Sequence, residues 1–132
     1  MAPPTGASPD DPRHALGREG ERLAERFLRL RGLKTIARHF STPTGELDLI
    51  MRDHETLVFV EVKTRRDRKY ADPEDAVGAH KRRRMTRAAR WFIHEKRYDD
   101  QPCRFDVVAV LLPPDGRPEI EHFHDAFLPH TG

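Results

Sequence analysis

The spacing of apolar residues predicts an amphipathic helix over residues 14–31. Four large apolar side chains recur at intervals of seven, four and three residues and so share one helical face: Leu16, Leu23, Phe27 and Leu30. Glu21 lies away from this face, and its own helical neighbours predict a second, partly covered face: Gly17, Ala24 and Leu28. Gly32 predicts the end of the helix, because glycine adopts the left-handed conformation found there without strain.

Three strands are predicted next, over residues 33–40, 46–51 and 57–63, and the last two form an antiparallel hairpin. Side chains alternate between the two faces of a strand. In the second strand the two sets are Leu47, Leu49 and Met51 on one face, and Glu46, Asp48 and Ile50 on the other. In the third strand they are Val58, Val60 and Val62, and opposite them Leu57, Phe59, Glu61 and Lys63.

A second helix is predicted from either Pro73 or Ala79 to Lys96. Its inward face comprises Val77, Met85, Ala88, Phe92 and Ile93. An apolar strand over 104–112 and a weaker strand over 119–124 complete the pattern. Helices and strands in this order predict an α/β sandwich with a mixed central sheet flanked by helices.

The chain has 132 residues, enough for one hydrophobic core. Its proline-rich opening contains few apolar groups, so residues 1–12 are predicted to be a disordered tail. Residues 13–128 then form a single domain, and residues 129–132 a loose C-terminal tail. No apolar run approaches the roughly 20 residues of a membrane helix, and a lone Cys103 is typical of a reducing compartment. We therefore expect a cytoplasmic protein without membrane contact.

Positive charge is concentrated in one part of the chain. Residues 63–97 hold 13 Lys and Arg against 5 Asp and Glu, whereas the remainder holds 11 and 17. Such segregation creates a positive surface that attracts polyanions, nucleic acid first among them. A solvated helix face is the alternative explanation for the same charges. The candidate nucleic-acid contacts are Arg65, Arg66, Arg68, Lys81, Arg82, Arg83 and Arg84.

Three charged residues of the predicted hairpin form a candidate catalytic centre. Glu61 and Lys63 are two residues apart in a strand, so both emerge on one face. If the hairpin pairs Asp48 near Glu61, two carboxylates converge, and such crowding is tolerated when a cation lies between them. Hard oxygen ligands with a mainly aqueous remaining shell suit Mg²⁺ or Mn²⁺. The sequence therefore predicts a divalent-metal site at Asp48 and Glu61.

Phosphodiester hydrolysis is the chemistry that this centre would support. A bound metal polarises a phosphoryl oxygen and lowers the pKa of its water, and Lys63 would orient that water or stabilise charge on the phosphate. Glu21 could arrive from the first helix as a third carboxylate. The plain structural alternative is an ion pair between Glu61 and Lys63, with Asp48 paired to an arginine, because short motifs recur by chance.

Two further polar groups lie in the last two strands. Asp106 stands in an otherwise apolar strand, and an arginine partner is the expected explanation. His122 and His124 are two residues apart on a strand and so could meet one metal ion. However, no cysteine pair or histidine spacing typical of a zinc site accompanies them.

Three blocks of the sequence run from Gly45 to Ile50, from Val58 to Arg65 and from Arg104 to Val108, and helix motifs lie around Glu21 and Lys81. Together they resemble the YraN-like family of uncharacterised bacterial proteins. The resemblance covers residues 17–127. That family is in turn similar to archaeal Holliday-junction resolvases and to the wider PD-(D/E)xK nuclease superfamily.

The resemblance implies a restriction-endonuclease-like fold and a role in nucleic-acid binding. By position, Asp48 and Glu61 look like metal ligands, Lys63 like the catalytic lysine and Glu21 like the accessory helix carboxylate. Leu47 replaces the proline usual in the superfamily. We expect a Mg²⁺-dependent endonuclease acting on structured or branched DNA, and a homodimer is compatible with a two-fold branched substrate. The alternatives are a non-catalytic nucleic-acid-binding module and an assembly protein with an acidic partner.

Overall fold

The computed structural model describes residues 12–67 and 78–127. Its elements are α1 (Pro12–Leu30), β1 (Lys34–Thr42), β2 (Gly45–Asp53), β3 (Thr56–Arg65), α2 (Ala79–Lys96), β4 (Cys103–Leu111) and β5 (Glu119–Phe127). The predicted order of helices and strands is confirmed. Of the two starts considered for the second helix, the structure has Ala79. Residues 1–11 and 128–132, together with Arg68, Pro73 and Val77, lie outside the described residues.

The five strands form one sheet in the order β1-β2-β3-β4-β5. Neighbouring strands are antiparallel except β3 and β4, which are parallel and flank α2 in sequence. The prediction of an α/β fold with a mixed sheet is therefore confirmed. Among the described residues, no helix is both long and apolar enough to cross a membrane.

Each face of the sheet carries its own apolar cluster. Phe59 and Phe105 pack with Phe92 of α2 on one face, which we call the α2 face. Val58 and Val60 pack with α1 on the opposite face, the α1 face. The predicted alternation along β3 is confirmed, because its valines face α1 while Leu57 and Phe59 face α2.

The predicted alternation along β2 is wrong at Leu47. Leu47 packs in the α2-face cluster together with Ile50, whereas Leu49 packs in the α1-face cluster. The regular two-residue period is thus interrupted at Asp48. Across the ladder, His39 lies between the pairs Arg38–Leu49 and Phe40–Leu47 and has a positive φ of 48°. The irregularities of the two strands therefore lie at the same level of the ladder.

The buried face of α1 is the one predicted to be secondary. Ala24 and Leu28 are fully buried, whereas Leu30, assigned to the main apolar face, is 79% exposed. The reason is the size of the side chains. An ideal Cβ at Gly20 would lie 1.8 Å from Oγ1 of Thr64, so the helix backbone approaches β3 more closely than any larger residue allows. The sheet therefore meets the small-residue side of the helix.

A methyl group at Gly20 is expected to destabilise the fold. In Gly20→Ala the added Cβ would overlap the Thr64 side chain, and we expect the free energy of unfolding to fall by about 1–3 kcal/mol. Gly17→Ala is the matched control, since nothing lies within 4 Å of its Cβ and alanine favours the helix. Urea denaturation of both variants makes the comparison. Equal stability of the two would contradict the close helix–strand approach.

Candidate active site

Asp48 and Glu61 come together at the end of the β2–β3 ladder. The last backbone pair is Leu49–Val60, and these two residues are next in line. The Val62 amide donates a hydrogen bond of 3.0 Å to Oδ2 of Asp48. Both residues also line the same cavity. The expected convergence of two acids from neighbouring strands is present.

The carboxyl group of Asp48 is strongly perturbed. Burial, together with the negative charge of Glu61, raises its pKa to about 7. Glu21 adds a smaller repulsion, and the Val62 amide opposes these effects. Buried carboxylates that repel one another tend to hold a proton or to bind a cation. Asp48 therefore sits where additional positive charge is favourable.

Two lysines supply part of that positive charge. The Glu61 side chain is only 7% exposed, and its Oε1 lies 3.3 Å from Nζ of Lys63. Nζ of Lys81, from the first turn of α2, donates a hydrogen bond to the same oxygen. Burial and the neighbouring Lys81 lower the pKa of Lys63. Burial also opposes the charge on Lys81, but its bond to Glu61 outweighs this and raises its pKa.

Glu21 reaches the same centre from α1. Burial raises the pKa of its carboxyl group, and the nearby Glu46 and Glu61 act in the same direction. His39 Nε2 lies 3.5 Å from Oε2 of Glu21, and its Nδ1 lies 3.2 Å from Oε1 of Glu46. A cavity of about 420 Å³ opens between Glu21, His39, Asp48 and Glu61. That volume is within the range of small-ligand sites.

His39 and Glu46 were not identified from the sequence as site residues. The sequence around His39 does not predict its positive φ of 48°. In the structure its ring lies between the carboxyl groups of Glu21 and Glu46. Burial opposes a charge on His39, but the surrounding acids outweigh this and raise its pKa. Glu46 could have been found, because it stands two residues before Asp48 in the same strand.

The donor set fits a magnesium-like ion in part. Within the described residues, no group of three or more His, Cys, Asp and Glu side chains is arranged to hold a metal ion. Mg²⁺, however, commonly uses one or two carboxylates and completes its shell with water and substrate phosphate. The Val62 amide uses one oxygen of Asp48, and both lysines use one oxygen of Glu61. One oxygen of each carboxyl group remains outside those bonds.

The predicted nucleic-acid contacts differ in exposure. Arg66 and Arg84 are exposed, whereas Arg82 and Arg83 are half-buried. Arg65 is also half-buried, and its Nε has no hydrogen-bond partner among the described residues. Lys81, predicted as a contact of this kind, instead bonds to Glu61 within the centre, and Arg68 lies outside the described residues.

Asp106 forms a separate buried network between β4 and β5. Its carboxylate accepts hydrogen bonds from Nε of Arg104 at 3.1 Å and from the backbone amide of Asp125 at 2.9 Å. Nε2 of His122 lies 2.7 Å from its other oxygen. The predicted arginine partner is therefore Arg104, which also binds Asp53. His122, weighed from the sequence as a metal ligand together with His124, is a partner of Asp106 in this network through Nε2.

Comparisons with known proteins give a consistent result. A model of the uncharacterised protein family UPF0102 matches residues 20–110. A UPF0102 protein of Syntrophotalea carbinolica is 48% identical over 115 residues, covering 87% of this chain and 93% of that protein. One of Nocardia farcinica is 47% identical, covering 87% and 91%. Among solved structures, Pyrococcus furiosus SfsA in complex with Ca²⁺ aligns at a TM-score of 0.43 and 13% identity, covering 85% of this chain and 64% of that one.

Proposed function

The chain belongs to the uncharacterised protein family UPF0102, and from its site we propose a metal-dependent nuclease-like protein that hydrolyses phosphodiester bonds in structured or branched DNA. Membership bears out the YraN-like resemblance of the motifs. The kinship with Holliday-junction resolvases and the restriction-endonuclease-like fold remain part of the proposal. A single observation carries it, namely the crowding of Asp48 against Glu61 beside two lysines and an open cavity.

In this proposal each side chain has a separate role. Asp48 and Glu61 would hold Mg²⁺ or Mn²⁺, which when bound supplies charge neutralisation at the phosphate and acidifies a water. Lys63 is positioned beside Glu61 to donate to a phosphate oxygen as negative charge builds there. Because its pKa is lowered, Lys63 gives up a proton more readily than an ordinary lysine. Glu21, across the cavity, can accept a hydrogen bond from the attacking water.

Divalent ions are expected to stabilise the protein through this centre. A ligand that binds only the folded state stabilises it by about 2.7 kcal/mol at a concentration one hundred times its dissociation constant. We expect Mn²⁺ to raise the melting temperature at pH 8, where Asp48 is ionised. The Glu61→Gln variant should show no such rise. An equal rise in that variant would place the ion elsewhere.

Cleavage is the decisive test of the proposal. The purified protein with Mg²⁺ or Mn²⁺ should cut a branched or flapped DNA, and chelation should stop the reaction. The second candidate is a non-catalytic nucleic-acid-binding module, favoured by one observation: Lys81 already satisfies an oxygen of Glu61 without any metal. Binding of DNA that is independent of Mg²⁺ and is followed by no cleavage would establish this alternative.

A further inference from the structure

A basic groove leaves the candidate active site along α1. The acidic cavity shares Glu21 and His39 with a second cavity of about 200 Å³. That cavity shares Arg22 and Arg38 with a third of about 450 Å³. The third shares Arg38 with a fourth, of about 670 Å³, between the end of α1 and β1. The four cavities therefore adjoin one another in a row, and we call the three beyond the acidic cavity the α1–β1 groove.

The lining of this groove is strongly positive beyond the acidic centre. Two acids line it, Glu21 and Glu25. The basic residues that line it are Arg18, Arg22, Arg26, Arg29, Lys34 and Arg38. Glu25 is 12% exposed and is committed to Arg38, which binds both of its oxygens at 2.7 Å. The outer part of the groove thus has an excess of positive charge.

Part of this charge is only weakly compensated inside the protein. Arg26, Arg29 and Lys34 are exposed, and none lies within 4 Å of a carboxylate oxygen among the described residues, although Arg29 helps to lower the pKa of Glu25. Like charges placed along one helix repel one another, and a bound polyanion relieves that repulsion. These residues lie outside the segment of concentrated positive charge, so charge counting along the chain did not reveal them.

The shape and the end of the groove indicate which polyanion fits. The basic residues follow α1 and the edge strand β1 outward from the acidic cavity, and a positively charged groove that tracks one sugar–phosphate backbone is the common feature of proteins that bind single strands. Leu30, 79% exposed, stands among the arginines. An apolar side chain within a basic groove suits the base of a single strand, whose faces are not stacked in a duplex.

We infer that the α1–β1 groove binds a single-stranded segment of nucleic acid that continues from the phosphate held at the acidic centre. The inference rests on the proposed function and specifies its substrate as DNA with an unpaired tail or flap. The distance along α1 from Glu21 to Arg29 is about 12 Å, at 1.5 Å per helical residue. This length accommodates a few nucleotides.

Charge reversal at the far end of the groove tests this inference. The Arg29→Glu variant should bind a duplex with a single-stranded DNA tail about tenfold more weakly than the wild type, while its affinity for a blunt duplex of equal length is unchanged. The slope of log affinity against log salt for the tailed DNA should also become shallower, since a phosphate contact is lost. Arg117→Glu, in the exposed β4–β5 turn, is the matched control and should bind both DNAs like the wild type.

The binding measurements are made with chelator, so they do not depend on catalysis. Loss of tail binding in Arg29→Glu supports the groove even if the wild type never cuts DNA, in which case only the proposed hydrolysis fails. If the wild type cuts flapped DNA and Arg29→Glu binds and cuts it equally well, the groove inference is overturned and the proposed function stands. An equal loss of tailed and blunt DNA binding would also overturn it, because the effect would then be general attraction.

Discussion

Replacing Asp48 by Asn is expected to lower the rate of Mg²⁺-dependent DNA cleavage by about a thousandfold or more, equivalent to about 4 kcal/mol of transition-state stabilisation. Asparagine keeps an oxygen that can accept the Val62 amide hydrogen bond, so the local backbone should hold its position. What is lost is the negative charge that a divalent ion requires. The measurement is the cleavage rate of a flapped DNA with Mg²⁺.

The same substitution should leave the protein folded and even stabilise it. Because the pKa of Asp48 is raised to about 7, the folded chain binds this proton more tightly than the unfolded chain. The free energy of unfolding therefore falls as the pH rises from about 4 through 7. At pH 8 we expect Asp48→Asn to be about 1–3 kcal/mol more stable than the wild type without metal. At pH 5 the difference should be about a third of that.

Asp115→Asn, in the exposed turn after β4, serves as the control for removal of one carboxylate. It should cleave DNA and unfold like the wild type at both pH values. Cleavage by Asp48→Asn at the wild-type rate would mean that the activity comes from a contaminating nuclease or from another part of the chain. A loss of stability at pH 8 would contradict the crowding of Asp48 and Glu61.

Replacing Asp106 by Asn is expected to cost about 3–5 kcal/mol of stability, the usual loss when one partner of a buried ion pair is removed. Asp106 has no exposed surface, and its oxygens accept bonds from Arg104, His122 and the Asp125 amide. Asparagine cannot satisfy all of these donors and leaves Arg104 with Asp53 as its remaining described carboxylate partner. Urea denaturation at pH 7 measures the loss.

The contribution of Asp106 also depends on pH. Burial opposes its charge, but bonds from His122, the Asp125 amide and Arg104 outweigh this and lower its pKa. Ionised Asp106 therefore stabilises the fold at pH values above its ordinary pKa of 3.8. This stabilisation is lost as the pH falls through the lower pKa of the folded state. The Asp125→Asn variant keeps the backbone amide and suits the positive φ of 53°, so it should unfold like the wild type. A loss below 1 kcal/mol in Asp106→Asn would contradict the network.

Much of the fold follows from sequence periodicity. The valines of β3 alternate with larger apolar and charged residues, and each set packs on the predicted face. Gly32 ends α1 as expected, with φ of 99° and with the Leu33 amide bonded to the Leu28 carbonyl. These features depend on local geometry, so a short window of sequence contains the information that fixes them.

The failures arise where tertiary contacts overrule local pattern. Size rather than hydrophobicity selects the buried face of α1, since Gly20 must pass close to Thr64. The interruption at Asp48 coincides with the positive φ of His39 in the adjoining strand. Neither effect has a signal within its own segment.

The candidate site was predictable only in its hairpin part. Asp48, Glu61 and Lys63 could be grouped because they belong to one hairpin, and alternation fixes the shared face of Glu61 and Lys63, whereas the position of Asp48 depends on the interruption in β2. The bond between Lys81 and Glu61 joins residues 20 positions apart through the intervening segment, and the basic lining of the α1–β1 groove combines a helix with an edge strand. The sequence pattern predicts single helices and strands, whereas sites built from several of them depend on how these elements pack together.

The hairpin origin of the two carboxylates has a consequence for assembly of the protein. Asp48 and Glu61 are joined by a short chain that reverses at His54 and Glu55, so bringing them together closes a small loop and costs little chain entropy. The parallel pairing of β3 with β4 closes a much longer loop, and this loop contains α2 with its Lys81. The two carboxyl groups that repel each other therefore come together at a small cost in chain entropy. Lys81, which neutralises Glu61, joins them only when the long-range contacts form.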